Sequence, residues 1–157
     1  MPSWNEILEE LKTNRSTPDE IRRRFLTELH ALTGRNVIVY YSGWVEKHGL
    51  DGRLTQINHA DKTGFMTVLH GLDRSKGLDL ILRTPGGAAD ATEALVHYLR
   101  SIQGRDIRAF VPDHAMSGGT VIACACKEIF MGKHLQCIRL LGPQFRKVKI
   151  RFLSEIP

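Results

Sequence analysis

The sequence predicts an α/β protein: repeated β-α-β units around a mainly parallel sheet, preceded by an N-terminal helical arm. Three observations predict it. Buried-type apolar runs recur as "NVIVYYSGW", "GLDLILRTP" and "DIRAFVP". Segments of helical periodicity separate them. Glycine-rich turns join the last two runs to the helices that follow, as right-handed crossovers require.

Taken in order, residues 4–12 read as a short amphipathic helix, with Trp4, Ile7, Leu8 and Leu11 on one face. "STPDE" starts a second helix: Thr17 is the N-cap, Pro18 suits the first helical position and Glu20 closes a capping box. Ile21, Phe25, Leu29 and Leu32 form its stripe, and Gly34 ends it. "NVIVYYSGW" is the first strand, apolar enough throughout to be buried on both faces. "HGLDGRLTQINHADKTG" begins as a loop. A helix is expected over roughly 59–72, with Phe65, Val68, Leu69 and Leu72 inward. After the strand "GLDLILRTP", "AADATEALVHYLRSIQG" is a helix that turns Ala91, Leu95, Tyr98 and Leu99 to the core. "DIRAFVP" is a strand, "SGGTVIACACK" a helix and "EIFMG" a short strand. The expected organisation is a helical arm (1–34), an α/β core (35–145) and a basic C-terminal tail (146–157).

The chain has 157 residues, 42% hydrophobic and 25% charged, the composition of one globular domain. Its net charge of +5 is unevenly spread. Arg22, Arg23 and Arg24 read as a solvated helix face, and Arg146, Lys147, Lys149 and Arg151 crowd the tail. No aromatic-basic platform supports nucleic-acid binding. No run approaches the roughly 18 apolar residues of a membrane span, and the amphipathic, acidic N-terminus lacks the pattern of a secretory signal. Cys124, Cys126 and Cys137 are an odd set without paired spacing, which points to free thiols in a reducing compartment. No C-x-x-C or His-x-x-x-His pattern occurs, so no metal and no cofactor are expected.

Two turns carry the chemistry. In "LILRTPGGAAD", Pro85, Gly86 and Gly87 join a buried strand to a helix; in "VPDHAMSGGTVIAC", Ser117 stands at the bend before Gly118 and Gly119. Glycine there admits unusual dihedrals and close approach. Each turn alone reads as ordinary, the second as a serine helix cap. Adjacent parallel strands would bring both to the carboxyl edge of the sheet, where ligands bind. One amide from each, at Gly86 and Gly118, would hold an oxyanion, with Ser117 beside it as nucleophile.

"DLILRTPGG", followed about 30 residues later by "AMSGGTVIACACKEIFMGKH", resembles the serine dehydrogenase proteinase family of the Clp-peptidase/crotonase superfamily. The resemblance runs from Asn36 to His134. It implies a Clp/crotonase-like core and a serine-type peptidase, cytoplasmic or membrane-associated, that acts on protein or peptide and assembles as a homo-oligomer. It implies Ser117 as nucleophile and the Gly86 and Gly118 amides as the oxyanion hole, with Gly87 supporting the turn. Arg83 stands where many relatives have His.

Beyond His134 the resemblance breaks. The family continues with Ser-Ser and then "LGPIDPQ", whereas this chain reads "LQCIRLLGPQF", with Gly142 at the place of the acid. One inserted base after the His134 codon and one lost at the Pro143 codon would turn H-S-S-A-F-G-S-L-D-P-Q into the present text, so a truncated or frame-shifted member is expected. The general base is left open among His114, Lys133 and His134; Lys127 and His97 read as surface residues. The competing functions are a crotonase-type acyl-CoA enzyme, which would need a carboxylate pair that neither turn shows, and a non-catalytic scaffold or fragment.

Overall fold

The computed structural model describes residues 3–13, 17–47, 49–132 and 148–153. The chain divides into two compact units, residues 1–35 and 36–157.

The first unit holds α1 (Trp4–Thr13) and α2 (Pro18–Thr33). Thr17 and Glu20 form the reciprocal capping box, and Gly34 ends α2 in the left-handed conformation. Arg22, Arg23 and Arg24 are exposed. Arg22 pairs with Asp19, and Arg24 bonds Glu10 of α1 at 2.5 and 2.8 Å. The expected apolar stripe is shorter than its periodicity: Ile21 is buried, but Leu32 is 81% exposed.

The second unit is a five-stranded, all-parallel sheet in the order β1-β2-β3-β4-β5. Its strands are β1 (Asn36–Tyr41), β2 (Leu78–Arg83), β3 (Ile107–Val111), β4 (Glu128–Met131) and β5 (Lys149–Phe152). Between them run α3 (His59–Leu69), α4 (Ala89–Gln103) and α5 (Gly118–Cys124). Every crossover steps to the next position in the same direction, so the right-handed rule places these helices on one face. Accordingly α3 packs on α4 and α4 on α5.

The core lies under those helices. Leu78, Leu80 and Leu82 of β2, Ala109 and Val111 of β3 and Ile129 of β4 are fully buried against Phe65, Leu69, Ala91, Leu95, Leu99 and Ile122. The alternate residues form the other face. There the fully buried Asp79 is bonded by Arg108 at 2.7 and 2.5 Å, and Phe110 stacks on Phe130 at 4.7 Å.

Three expectations change. β1 is an edge strand, so its apolar residues are half-buried and Tyr41 is exposed. α3 stops at Leu69 and leaves Val68 51% exposed, while Phe65 and Leu69 are buried in the core and Leu72, beyond the helix, packs against it. Residues Lys149–Phe152, placed by sequence in a basic tail, pair with β4 as the fifth strand. Their alternation of charged and apolar side chains suits a pleat better than a solvated tail. Gly142 and Cys137 lie outside the described residues.

Candidate active site

The two glycine turns meet. Beyond the end of β2, Thr84 continues the ladder with Ala115: its N–H donates to His114 O at 3.0 Å and its carbonyl accepts from Met116 N–H at 3.0 Å. Both turns therefore leave the same carboxyl edge. A Cβ on Gly86 would lie 2.6 Å from Met116 O, 2.7 Å from Ser117 Cβ and 2.9 Å from Gly118 N. The first turn is thus packed on the second without room for a methyl group.

Ser117 stands at the N-cap position of α5 but does not cap it. Its side chain makes no capping bond, and its backbone sits at φ +49°, ψ −117°. An N-cap serine normally has extended dihedrals and bonds the N2 or N3 amide. Among the described residues Ser117 alone combines a side chain with positive φ. Such a position costs about 1–3 kcal/mol and persists only where the surroundings enforce it. They do so here. Met116 O accepts from Gly119 N–H at 2.8 Å, Ser117 O from Val121 N–H at 3.2 Å, and Ala115 O from Thr120 Oγ1 at 2.6 Å. A Cβ on Gly118 would collide with Thr92 Oγ1, and one on Gly119 would lie 2.5 Å from Thr84 Cγ2. The strained bend leaves Ser117 exposed while Gly118, Gly119 and Thr120 are buried.

The amides divide unevenly. Gly86, at φ +93°, donates its N–H to Thr84 Oγ1 at 3.1 Å, so this expected oxyanion donor is already committed. Gly87 pairs with Ile57 as an isolated parallel bridge: Ile57 N–H donates to Gly86 O at 2.8 Å, and Ala88 N–H to Ile57 O at 2.9 Å. In a parallel ladder the groups flanking a residue bond to one side, and its own N–H and C=O point to the other. The Gly87 N–H therefore faces away from Ile57. Neither Gly87 N–H nor Gly118 N–H has an acceptor among the described residues.

Of the base candidates, His114 is described and Lys133 and His134 are not. His114 Nδ1 lies 2.5 Å from Asp113 Oδ1, off the line of an aligned hydrogen bond, and its ring meets Trp44 edge-on at 6.1 Å. Ser117 Oγ has no hydrogen-bond partner among the described residues. His97 and Lys127 are exposed, as their surface reading requires.

Arg83 ties the strand ends together from the other face of the sheet. Its guanidinium bonds Asp113 at 3.0 Å, Glu46 at 2.9 and 3.1 Å and Ser42 O at 3.4 Å, and lies 4.9 Å from the Tyr41 ring. Burial opposes ionisation of Asp113, but Arg83 and His114 outweigh it and hold the carboxyl below its ordinary range. Burial pushes the Cys124 thiol up to about 11 and that of Cys126 to about 12, so neither is a ready nucleophile. No cluster of three or more metal-binding side chains occurs among the described residues, nor does a helix long and apolar enough to cross a membrane.

Sequence reading missed the segment that braces the first turn. Ile57 carries no motif. The N-x-x-D spacing of Asn58 and Asp61 is a capping signal that accounts for the start of α3 at His59, where the sequence expected it.

Comparison with known proteins agrees with this architecture. Over 83 residues, 53% of this chain and 27% of the relative, the chain is 34% identical to the uncharacterized protein MJ0137 of Methanocaldococcus jannaschii. Over 66 residues, 42% of this chain and 21% of the relative, it is 42% identical to the uncharacterized protein MJ1495 of the same organism. The matched regions thus span about a quarter of these relatives' length. Residues 21–150 match the ClpP-like SDH-type serine proteinases, beyond His134, where the motif resemblance stops. With its parallel sheet and the paired glycine turns at one edge, the chain belongs to the family of ClpP-like SDH-type serine proteinases.

Proposed function

We propose that this chain is a serine peptidase in which Ser117 Oγ attacks the carbonyl of a protein or peptide substrate, and Gly87 and Gly118 N–H stabilise the resulting oxyanion. The observation that carries this reading is the strained, uncapped and exposed Ser117, packed against the Gly86 turn. A helix cap needs neither positive φ nor a second glycine turn at its shoulder. The oxyanion donors are reassigned from Gly86 to Gly87 because the Gly86 amide is held by Thr84. Gly86, Pro85 and Gly119 shape the turns.

Proton transfer is the weak part. Serine at its own pKa is a poor nucleophile and needs a base within hydrogen-bond reach. His114 lies beside the Asp113 carboxylate, and its closeness in sequence to Ser117 makes it the candidate within the described residues; Lys133 and His134 remain candidates outside them. Without an engaged base, turnover is expected to be slower by about 10²- to 10⁴-fold. The lack of a described partner for Ser117 Oγ also favours a second reading, a non-catalytic subunit of such a peptidase.

A fluorophosphonate probe separates these readings. Covalent labelling that disappears in Ser117→Ala supports the peptidase. An unlabelled chain that binds coenzyme A would be a crotonase-type protein, and one that does neither a scaffold. The unpaired Cys124 and Cys126 fit a cytoplasmic setting. Exposed Leu50, Leu54, Met66 and Val68 support association between copies; sedimentation as a monomer at high concentration would count against it.

A further inference from the structure

His114 stands three residues before Ser117, and two neighbours bound its ring. The first is Asp113, whose Oδ1 lies 2.5 Å from His114 Nδ1. The second is Trp44, whose ring meets it edge-on at 6.1 Å. Nδ1 is buried and has no aligned hydrogen bond, so the ring rests on the charge of a carboxylate and on packing rather than on a directed bond. Its place therefore depends on where those two neighbours are held.

One guanidinium grips both. Arg83 Nε donates to Asp113 Oδ2 at 3.0 Å, so the two oxygens of that carboxylate are divided between Arg83 and His114. The terminal nitrogens of Arg83 reach Glu46 at 2.9 and 3.1 Å and Ser42 O at 3.4 Å, and these two residues flank Trp44 in the chain. Lys47 N–H donates to Gly43 O at 2.8 Å and closes the same turn. The Arg83 side chain is only 13% exposed, and its guanidinium lies 4.9 Å from the ring of Tyr41, its register partner on β1. A planar fork of fixed donors can serve Asp113 and Glu46 at once; a lysine ammonium, a point charge, cannot. The next residue, Thr84, fixes the His114 backbone by donating its N–H to His114 O at 3.0 Å.

We propose that Arg83 is a positioning residue: by gripping Asp113 and the Trp44 turn together, it fixes the His114 ring at the approach to Ser117. With Nδ1 beside Asp113, Nε2 is the nitrogen left to exchange a proton. That catalytic consequence rests on the peptidase reading above, with His114 as the base; the placement of the ring does not.

The test uses the full chain and begins with Arg83→Lys, which keeps the charge and loses the fork. In the parent, a nuclear Overhauser contact should join the Trp44 and His114 rings, the histidine signals being identified by their absence in His114→Gln. In Arg83→Lys that contact should weaken or vanish, while the contact between the stacked Phe110 and Phe130 rings on the same face of the sheet stays as it was. If Arg83→Lys does not fold, Glu46→Gln takes its place, at a side chain 51% exposed, and should weaken the ring contact in the same direction. A ring contact that is absent from the parent, or that keeps its parental strength in the folded variant, overturns the proposal whatever the labelling shows. Fluorophosphonate labelling tests the consequence. Displacing a base costs less than losing it, so the maximal rate should fall about 10-fold while the probe's reversible affinity stays unchanged. Arg83→Lys should add nothing to that loss in the His114→Gln background. Where the ring contact weakens and labelling keeps the parental rate, the positioning role stands and His114 is not the base. Where the parent chain does not label at all, the peptidase reading falls, and the ring contact alone decides: a weakened contact upholds the positioning role and an unchanged one overturns it.

Discussion

The turns after β2 and β3 both leave a parallel strand through positive φ and enter a helix, yet Gly86 carries that angle in one and Ser117 in the other. Gly86 has no Cβ, and no space for one. The first turn therefore works through its backbone alone. The second places a side chain where glycine would be more comfortable, and leaves that side chain without a capping bond. The braces differ as well. The Ile57 bridge and the Thr84 hydroxyl hold the first turn, while a guanidinium between two carboxylates lies behind the second. One turn supplies close backbone packing; the other presents an exposed hydroxyl.

The largest expected effect breaks the comparison at its chemical end. Ser117→Ala should keep the fold and remove the proposed nucleophile. Phosphonate labelling and any peptide hydrolysis should fall to background, a loss on the order of 10⁴-fold or more where a serine is the nucleophile. A variant that still cleaves at the parental rate would reduce Ser117 to the first residue of a helix.

Next come the glycines. A Cβ on Gly87 would run into the backbone of Ile57, which no side-chain rotation relieves. Gly87→Ala should cost more than about 3 kcal/mol, the range of severe overpacking and backbone strain. Gly104→Ala is the control: that glycine has positive φ, at +59°, which Gly87 does not, and nothing lies within 4 Å of its Cβ position. Its cost should be near 1 kcal/mol, the dihedral penalty alone. Urea unfolding of the two variants measures the difference, and equal losses would show that contact with Ile57 does not constrain the turn.

How much of this was legible in the sequence depends on where the information sits. Apolar alternation and helix punctuation marked Thr17, Glu20 and Gly34, and the T-P-G-G and S-G-G runs marked both turns, because these signals are local. The edge position of β1 was not legible: "NVIVYY" has the composition of a central strand, and only the order of strands decides what lies beside it. β5 was hidden in a charged segment because edge strands tolerate charge. The proposed shift from Gly86 to Gly87 rests on Ile57, which pairs with Gly87 from a distant segment, and on the Thr84 hydroxyl, whose rotamer the sequence does not show. Lys133 and His134 fall outside the described residues, so structure adds nothing to what sequence says of them.

A third substitution sharpens the contrast between the strained residues. Ser117→Gly should remove activity as Ser117→Ala does, but unlike alanine it relieves the positive φ. Relief of about 1–3 kcal/mol, offset by the roughly 0.5–1 kcal/mol of extra unfolded-state freedom that glycine brings, leaves a gain near 1 kcal/mol over Ser117→Ala. For a chain of this size that is a rise of about 2–4 °C in melting temperature. An alanine variant that melts at or above the glycine variant would mean that the bend holds no strain.

The smallest effect concerns the ionic brace. Asp113 has its pKa lowered in the folded chain, since Arg83 and His114 outweigh the burial that opposes ionisation. A carboxyl with a lowered folded pKa stabilises the fold above its unfolded value, near 3.9, and that stability is lost as pH falls through the folded value. The side chain is 46% exposed, so solvent screening keeps the contribution below about 1 kcal/mol. Asp113→Asn should therefore be slightly less stable than the parent at pH 7, and the gap should close as the pH is lowered from about 5 toward 3. Trp44, whose ring meets His114 edge-on, gives a local fluorescence signal for the same titration. A gap that stays constant across the acid range would show that Arg83 holds the second turn through packing and its bond to Ser42 O rather than through the Asp113 charge.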